Sequence, residues 1–145
     1  MAEHDPELYA TISFNVYSPD YGRLASFKEH SEVLRPGPSI GKRYFEKLAK
    51  ADSIVLFLAH HNKDFLGTKF FEMLPFRKPI AYFGDSGHVS HFIESNRLGT
   101  HIQDYQSFVD HLRAIRLKEQ HFNLAYDVTQ HSLPNVTEQL LQLLS

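Results

Sequence analysis

The run SIVLFLA, Ser53 to Ala59, is apolar at odd and even positions alike. An extended chain turns alternate side chains to opposite faces, so a strand of this composition has to be covered on both sides. A central strand of a parallel sheet, with helices packed above and below it, meets that condition. The run is far too short to cross a bilayer, which takes roughly 20 apolar residues.

The rest of the chain alternates in the same sense. Thr11 to Tyr17 reads as a strand and Leu24 to His30 as a short helix. Val33 and Leu34 suggest a brief strand stopped by Pro36-Gly37-Pro38. In Lys42 to Ala51, Tyr44, Phe45, Leu48 and Ala49 form a helical stripe. Thr68 to Leu74 is helical, and Pro75 stops or kinks it. Pro79 to Phe83 is the next strand, followed by the turn Gly84-Asp85-Ser86-Gly87. His88 to Asn96 reads as a helix, Gly99 to Gln103 as a strand and Tyr105 to Leu117 as a helix. The tail runs loosely to Pro134, and Thr137 to Leu144 predicts a terminal helix capped by Asn135 or Thr137. This alternation predicts right-handed β-α-β units. The fold class is therefore α/β, a Rossmann-like parallel sheet with helices on both faces in three α/β/α layers. With no repeat, linker or low-complexity segment, the 145 residues read as one domain.

Composition narrows the function. The net charge is −2 and the pI about 6.5, so no basic face marks a nucleic-acid or anionic-membrane partner. The absence of cysteine removes disulfides, thiolate zinc sites and cysteine nucleophiles. The opening MAEHDPELYA lacks the charged-then-apolar order of a signal peptide, and a cytoplasmic protein without a membrane span is expected. Among ten histidines, His60 and His61 with Asp64, and His88 with His91, are the residues zinc chemistry would draw on. No tight ligand motif accompanies them, so solvent-exposed histidines are expected, with no metal and no cofactor. His101, His111, His121 and His131 recur every ten residues, a spacing that fits neither helix nor strand and reads as chance. Phe14, Phe45, Phe57, Phe70, Phe71, Phe83, Phe92 and Phe108 are assigned to the core. Phe65 is the exception, placed in a loop.

In a parallel α/β sheet the loops that follow strands gather at the carboxyl edge, where ligands bind. Here they are Ser18 to Gly22, Pro36 to Ser39, His60 to Gly67, Gly84 to Gly87 and Gln103 to Tyr105. The stretch DFLGTKFFE, Asp64 to Glu72, carries the most chemistry. Gly67 and Thr68 stand where a helix begins, so the N–H groups of Gly67, Thr68, Lys69 and Phe70 face the loop and suit an anion. Glu72 is acceptor-only when ionised and suits a pair of sugar hydroxyls, and Asp64 can accept from hydroxyls beyond the phosphates. The plain alternative is a helix capped by Thr68, with Glu72 complementing the helix dipole.

The series ADSIVLFLA, then DFLGTKFFEMLPFRKPIAYFGDSG, then SHFIESNRLGTHI and YQSFVDHLRAI resembles the C-terminal donor-binding domain of GT-B fold glycosyltransferases. The retaining, nucleotide-sugar-dependent group looks closest. The close HSLPNVTEQLLQLL is similar to the end of those domains, and the likeness covers roughly Val33 to Leu144. The resemblance implies that Glu72 binds the ribose hydroxyls of a UDP-, GDP- or ADP-linked sugar. Asp64 takes the place of an acid, usually Glu, that contacts the donor sugar. Phe65, Leu66, Gly67 and Thr68 match the turn facing sugar and phosphate, and Leu34 to Pro38, with Pro36 and Gly37, lies beside the base; on its own chemistry, Lys69 either adds a positive charge at the phosphates or snorkels outwards. Pro75-Phe76-Arg77 departs from the small residues usual before Lys-Pro. The family's opening strand, loop and helix, with its basic pair, has no match here, nor has the N-terminal acceptor domain. The expectation is a donor-binding half, inactive alone. Such transferases generally need no metal. Two other classes stay open. Nucleoside 2-deoxyribosyltransferases would use Glu72 as nucleophile, and a non-catalytic interaction module would present an exposed apolar patch. A response receiver is poorly supported, since Ser53 to Ala59 ends without an aspartate.

Overall fold

The computed structural model describes residues 5–24, 32–117, 121–132, 134, 135, 138 and 142. The chain divides into two compact units, Met1–Lys47 and Leu48–Ser145.

The first unit opens with a helix that the strand-like look of Thr11 to Tyr17 conceals, α1 (Pro6–Thr11). Asp5 Oδ1 accepts the Leu8 N–H at 3.0 Å, Pro6 stands in the first turn where a missing N–H costs nothing, and Leu8 is buried. Then follow β1 (Phe14–Tyr17), α2 (Tyr21–Leu24) and β2 (Leu34–Gly37). The rest of the helix expected to His30 lies outside the described residues. β1 and β2 pair in parallel, Phe14 opposite Leu34 and Tyr17 opposite Gly37.

Pro36 and Gly37 therefore belong to the strand rather than ending it. The Phe14 N–H bonds Val33 O and the Ser18 N–H bonds Gly37 O, at 2.7 and 3.0 Å. That phase turns Pro36's nitrogen away from β1, so its missing N–H removes no ladder bond. The Tyr17 ring lies against Gly37, 3.3 Å from where a Cβ would stand, and Lys47 Nζ is 5.8 Å from that ring's centre.

α3 (Tyr44–Lys50) runs across the division point. The second unit then contains β3 (Ile54–Phe57), α4 (Thr68–Met73), β4 (Ile80–Phe83), α5 (His88–Ser95), β5 (Gly99–His101) and α6 (Tyr105–Arg116). Its sheet is parallel throughout in the order β3-β4-β5. The α/β class with parallel strands is thus as the sequence predicts. The strands form a two-stranded and a three-stranded hydrogen-bonded sheet rather than one continuous ladder.

In the second unit SIVLFLA packs one face on the core and buries the other only in part. Ile54, Leu56, Ile80 and Tyr82 pack on one side with Phe70, Met73 and Leu74 from α4 and the turn after it, and with Val89 and Ile93 of α5. On the other side Phe57 stacks on Phe83 at 4.9 Å, and Phe83 meets Phe108 of α6 at 5.5 Å. α4 and α5 thus cover one face, and α6 covers the other at β4 and β5. β3 is the edge strand of this sheet rather than the central strand expected, and its second face is partly open. Phe57, assigned to the core, stays 71% exposed, and Phe45 is exposed as well.

The segment 121–132, read as loose, is tied down. The Asn123 N–H bonds Arg97 O at 2.7 Å, and Arg97 Nε donates to His121 O at 3.0 Å. Tyr126 and Val128 pack on the core, His131 lies 4.7 Å from the Phe71 ring, and Asp127 caps the tight helical turn Val128–His131. Aromatic contact with α4 and α5 supplies the order that local propensity does not. The helix expected over Thr137 to Leu144 falls largely outside the described residues. Among the described residues no helix is long and apolar enough to cross a membrane.

Candidate functional site

Two strand-following loops meet at the carboxyl edge of the three-stranded sheet, and both are held from beneath. Tyr82, fully buried in β4, donates its hydroxyl to Asp85 O at 3.1 Å. Burial, and then the carboxylates of Asp85 and Asp64, raise its pKa and keep the phenol protonated. His101, buried in β5, lies with Nε2 2.7 Å from Gly84 O, and its Nδ1 is 3.3 Å from Gln103 Nε2. A carbonyl only accepts, so Nε2 carries the hydrogen. Two side chains therefore fix the backbone of Gly84 and Asp85.

The loop after β3 is joined to the loop after β4. Asp64 Oδ1 accepts the His88 N–H at 2.9 Å, and Lys63 O accepts the Val89 N–H at 2.9 Å. Ser90 Oγ accepts the Gly87 N–H at 3.0 Å. The first turn of α5 is thereby capped by its own chain. A Cβ on Gly87 would stand 2.6 Å from Asp64 Oδ1 and 3.0 Å from Lys63 O, so only glycine lets the loops approach. Across the same seam His60 Nδ1 pairs with Asp85 Oδ2, both side chains largely exposed. His60 lies in a short helical turn, His60–Asn62, closed by the Asn62 N–H on Ala59 O at 2.8 Å.

The residues singled out from the sequence take distinct places. Asp64 is the cap of α5. Phe65 is 70% exposed, and its ring lies on Gly67, with Cε1 3.2 Å from where a Cβ would point. Leu66 packs against the core. Gly67, not Thr68, is the N-cap of α4, in extended conformation and without a side-chain cap bond. Thr68 is the first residue of α4, Lys69 follows it in the helix, and Glu72 is exposed near its end. Pro36 and Gly37 are strand residues of the first unit.

The His60–Asp85 pair escaped sequence reasoning, because it depends on the register of two neighbouring strands. Phe57 and Phe83 are register partners, so positions two or three residues beyond each arrive side by side. Two other histidines contradict the expectation of exposure. His101 is one. The other is His111, buried in α6 between Ser53 and Thr100. Ser53 Oγ donates to Pro79 O at 2.8 Å, so His111 Nε2–H donates to Ser53 Oγ at 3.0 Å, and Nδ1 accepts from Thr100 Oγ1 at 3.0 Å. Burial lowers its pKa to about 4, and the ring is neutral. Both rings are tolerated inside because both nitrogens have partners.

Among the described residues no three His, Asp or Glu side chains converge as metal ligands. An open cleft of about 670 Å³ runs along β5 and α6, where Glu94 and Asp110 alternate with Arg97 and Arg113. Those mixed charges single out no ligand class. Compared with protein-family models, curated proteins and solved structures, the chain matches none.

Proposed function

We propose that this chain is the donor-binding domain of a GT-B type glycosyltransferase, taking a nucleotide sugar and working with an acceptor domain in the cytoplasm. The observation that carries the reading is the position of Asp64 to Glu72. These residues follow β3 at the carboxyl end of a parallel sheet, where α/β domains bind ligands. Phe65 and Glu72 are exposed there, free of the core.

In this reading the Glu72 carboxylate accepts from the two ribose hydroxyls. The Gly67–Thr68 backbone faces the diphosphate on the side that the Phe65 ring leaves open, with Lys69 adding positive charge. With one oxygen committed to α5, Asp64 offers its second oxygen to the sugar. The chemistry of the complete enzyme is glycosyl transfer to a hydroxyl. The donor half alone performs no transfer.

A binding screen of UDP, GDP, ADP and their sugars by calorimetry tests the proposal, with Glu72→Ala as control. Binding of at least one nucleotide, weakened in Glu72→Ala, is expected. A second reading, an interaction module, draws support from exposed Phe57 stacked on Phe83. It gains if no nucleotide binds.

A further inference from the structure

β3 has the sequence of an interior strand and the position of an edge strand. It reads Ile-Val-Leu-Phe, yet among the described residues β4 is its one strand partner. The ladder to β4 uses alternate residues. The Ile54 N–H bonds Pro79 O at 2.9 Å, and the Leu58 N–H bonds Phe83 O at 3.1 Å. Val55 and Phe57 lie in the opposite phase, so their N–H and C=O groups face the other edge. Sheet edges are ordinarily guarded by lysine, proline or a bulge, and β3 has none of these. Its Phe57 side chain is 71% exposed as well.

This edge is complementary to itself. When two copies of β3 run antiparallel with Leu56 facing Leu56 of the partner subunit, Val55 falls opposite Phe57 of the partner subunit. Phe57 likewise falls opposite the partner's Val55. Val55 and Phe57 are the residues whose backbone groups face outward, so each such pair exchanges both of its hydrogen bonds. The pairing also sets a β-branched side chain beside each Phe57 ring, a combination that sheets favour. At the two ends, the exposed Asp52 arrives beside the turn that carries His60 and His61 of the partner subunit. An acid thus meets imidazoles, and no like charges come opposite one another between positions 52 and 60. A two-fold arrangement uses the open edge of both copies and closes on itself.

We propose that two copies of this chain join β3 to β3, antiparallel about a two-fold axis at Leu56, so that one sheet runs through both subunits. The occupant of the open edge is a second copy of the chain. The proposal is independent of the donor-binding reading, since it rests on the strand and not on the loops beyond it.

The test is sedimentation equilibrium of the full chain, which should give a dimer. Val55→Pro removes an outward N–H from each copy and, like Pro36 in β2, leaves the ladder to the neighbouring strand intact. It should weaken the dimer by about 10-fold or more. Phe57→Lys, at an exposed position, puts a cation on each edge and should weaken it as well. Slow hydrogen exchange at the Ile54 and Leu58 N–H groups establishes that each variant keeps its fold. Because the chain has no cysteine, single-cysteine variants read the register. Leu56→Cys should oxidise to a covalent dimer, since facing residues of this kind have Cα atoms about 4.5 Å apart. Ala59→Cys, whose two copies would stand about 20 Å apart, should not. A wild-type monomer, open-ended association beyond two copies, or a dimer undisturbed by both folded edge variants would overturn the proposal. So would cross-linking as fast through Ala59→Cys as through Leu56→Cys.

Discussion

Asp64 Oδ1 lies 2.9 Å from the backbone nitrogen of His88, so the loop after β3 caps the helix that follows β4. This bond crosses 24 positions of sequence, and both residues are exposed at their side chains. Replacing the acid should therefore act as loss of a helix cap. Asp64→Ala is expected to lower the unfolding free energy by about 1 kcal/mol in urea titration, and Asp64→Asn, which keeps the acceptor, by less.

Gly87 completes that seam. Gly87→Ala puts a methyl group into the Asp64 carboxylate and the Lys63 carbonyl, one of them backbone that cannot swing aside. A loss of about 1–3 kcal/mol is expected. Faster hydrogen exchange at His88 and Val89 should accompany it, as the two capping bonds lengthen.

His111 predicts the acid limb of stability. Its pKa is about 4 in the folded chain against an ordinary 6.5, so the folded state holds the neutral ring. The stabilisation is complete above pH 6.5 and is lost as pH falls from there to about 4, because the unfolded chain takes up the proton first. The loss should reach about 3 kcal/mol. His111→Gln is less stable at neutral pH, and its stability should change less between pH 6.5 and 4, measured by urea unfolding across that range.

Arg77 ends the tight turn Leu74–Phe76 with φ at 54°, a left-handed conformation that glycine adopts without steric cost. Arg77→Gly should raise stability by about 1 kcal/mol, read as an increase in the thermal midpoint.

Hydrophobic pattern made most of the second unit legible. β3, β4, α5 and α6 lie within a few residues of their expected ranges, because each buries a face of the right period. Capping and edge effects were harder to read. Asp5-Pro6 starts a helix ahead of β1, and Pro36 stays in a strand because its nitrogen faces away from the partner. The tail's order comes from ring contacts between residues far apart in sequence, such as Phe92 with Tyr126. In the candidate site, the loops were legible from topology. The bonds within them were not, since Asp64–His88 and His60–Asp85 depend on how two neighbouring strands register.

The donor-binding account stands most directly on Glu72 and the ribose diol. The decisive measurement is calorimetric binding of the preferred nucleoside diphosphate and of its 2′,3′-dideoxy analogue, to wild type and to Glu72→Ala. Charged hydrogen bonds of this kind contribute about 1.5–3 kcal/mol, so wild type should prefer the ribonucleotide by roughly 10- to 100-fold. Glu72→Ala should bind the two equally. A preference that survives in Glu72→Ala, or no binding of either compound to wild type, would contradict the account.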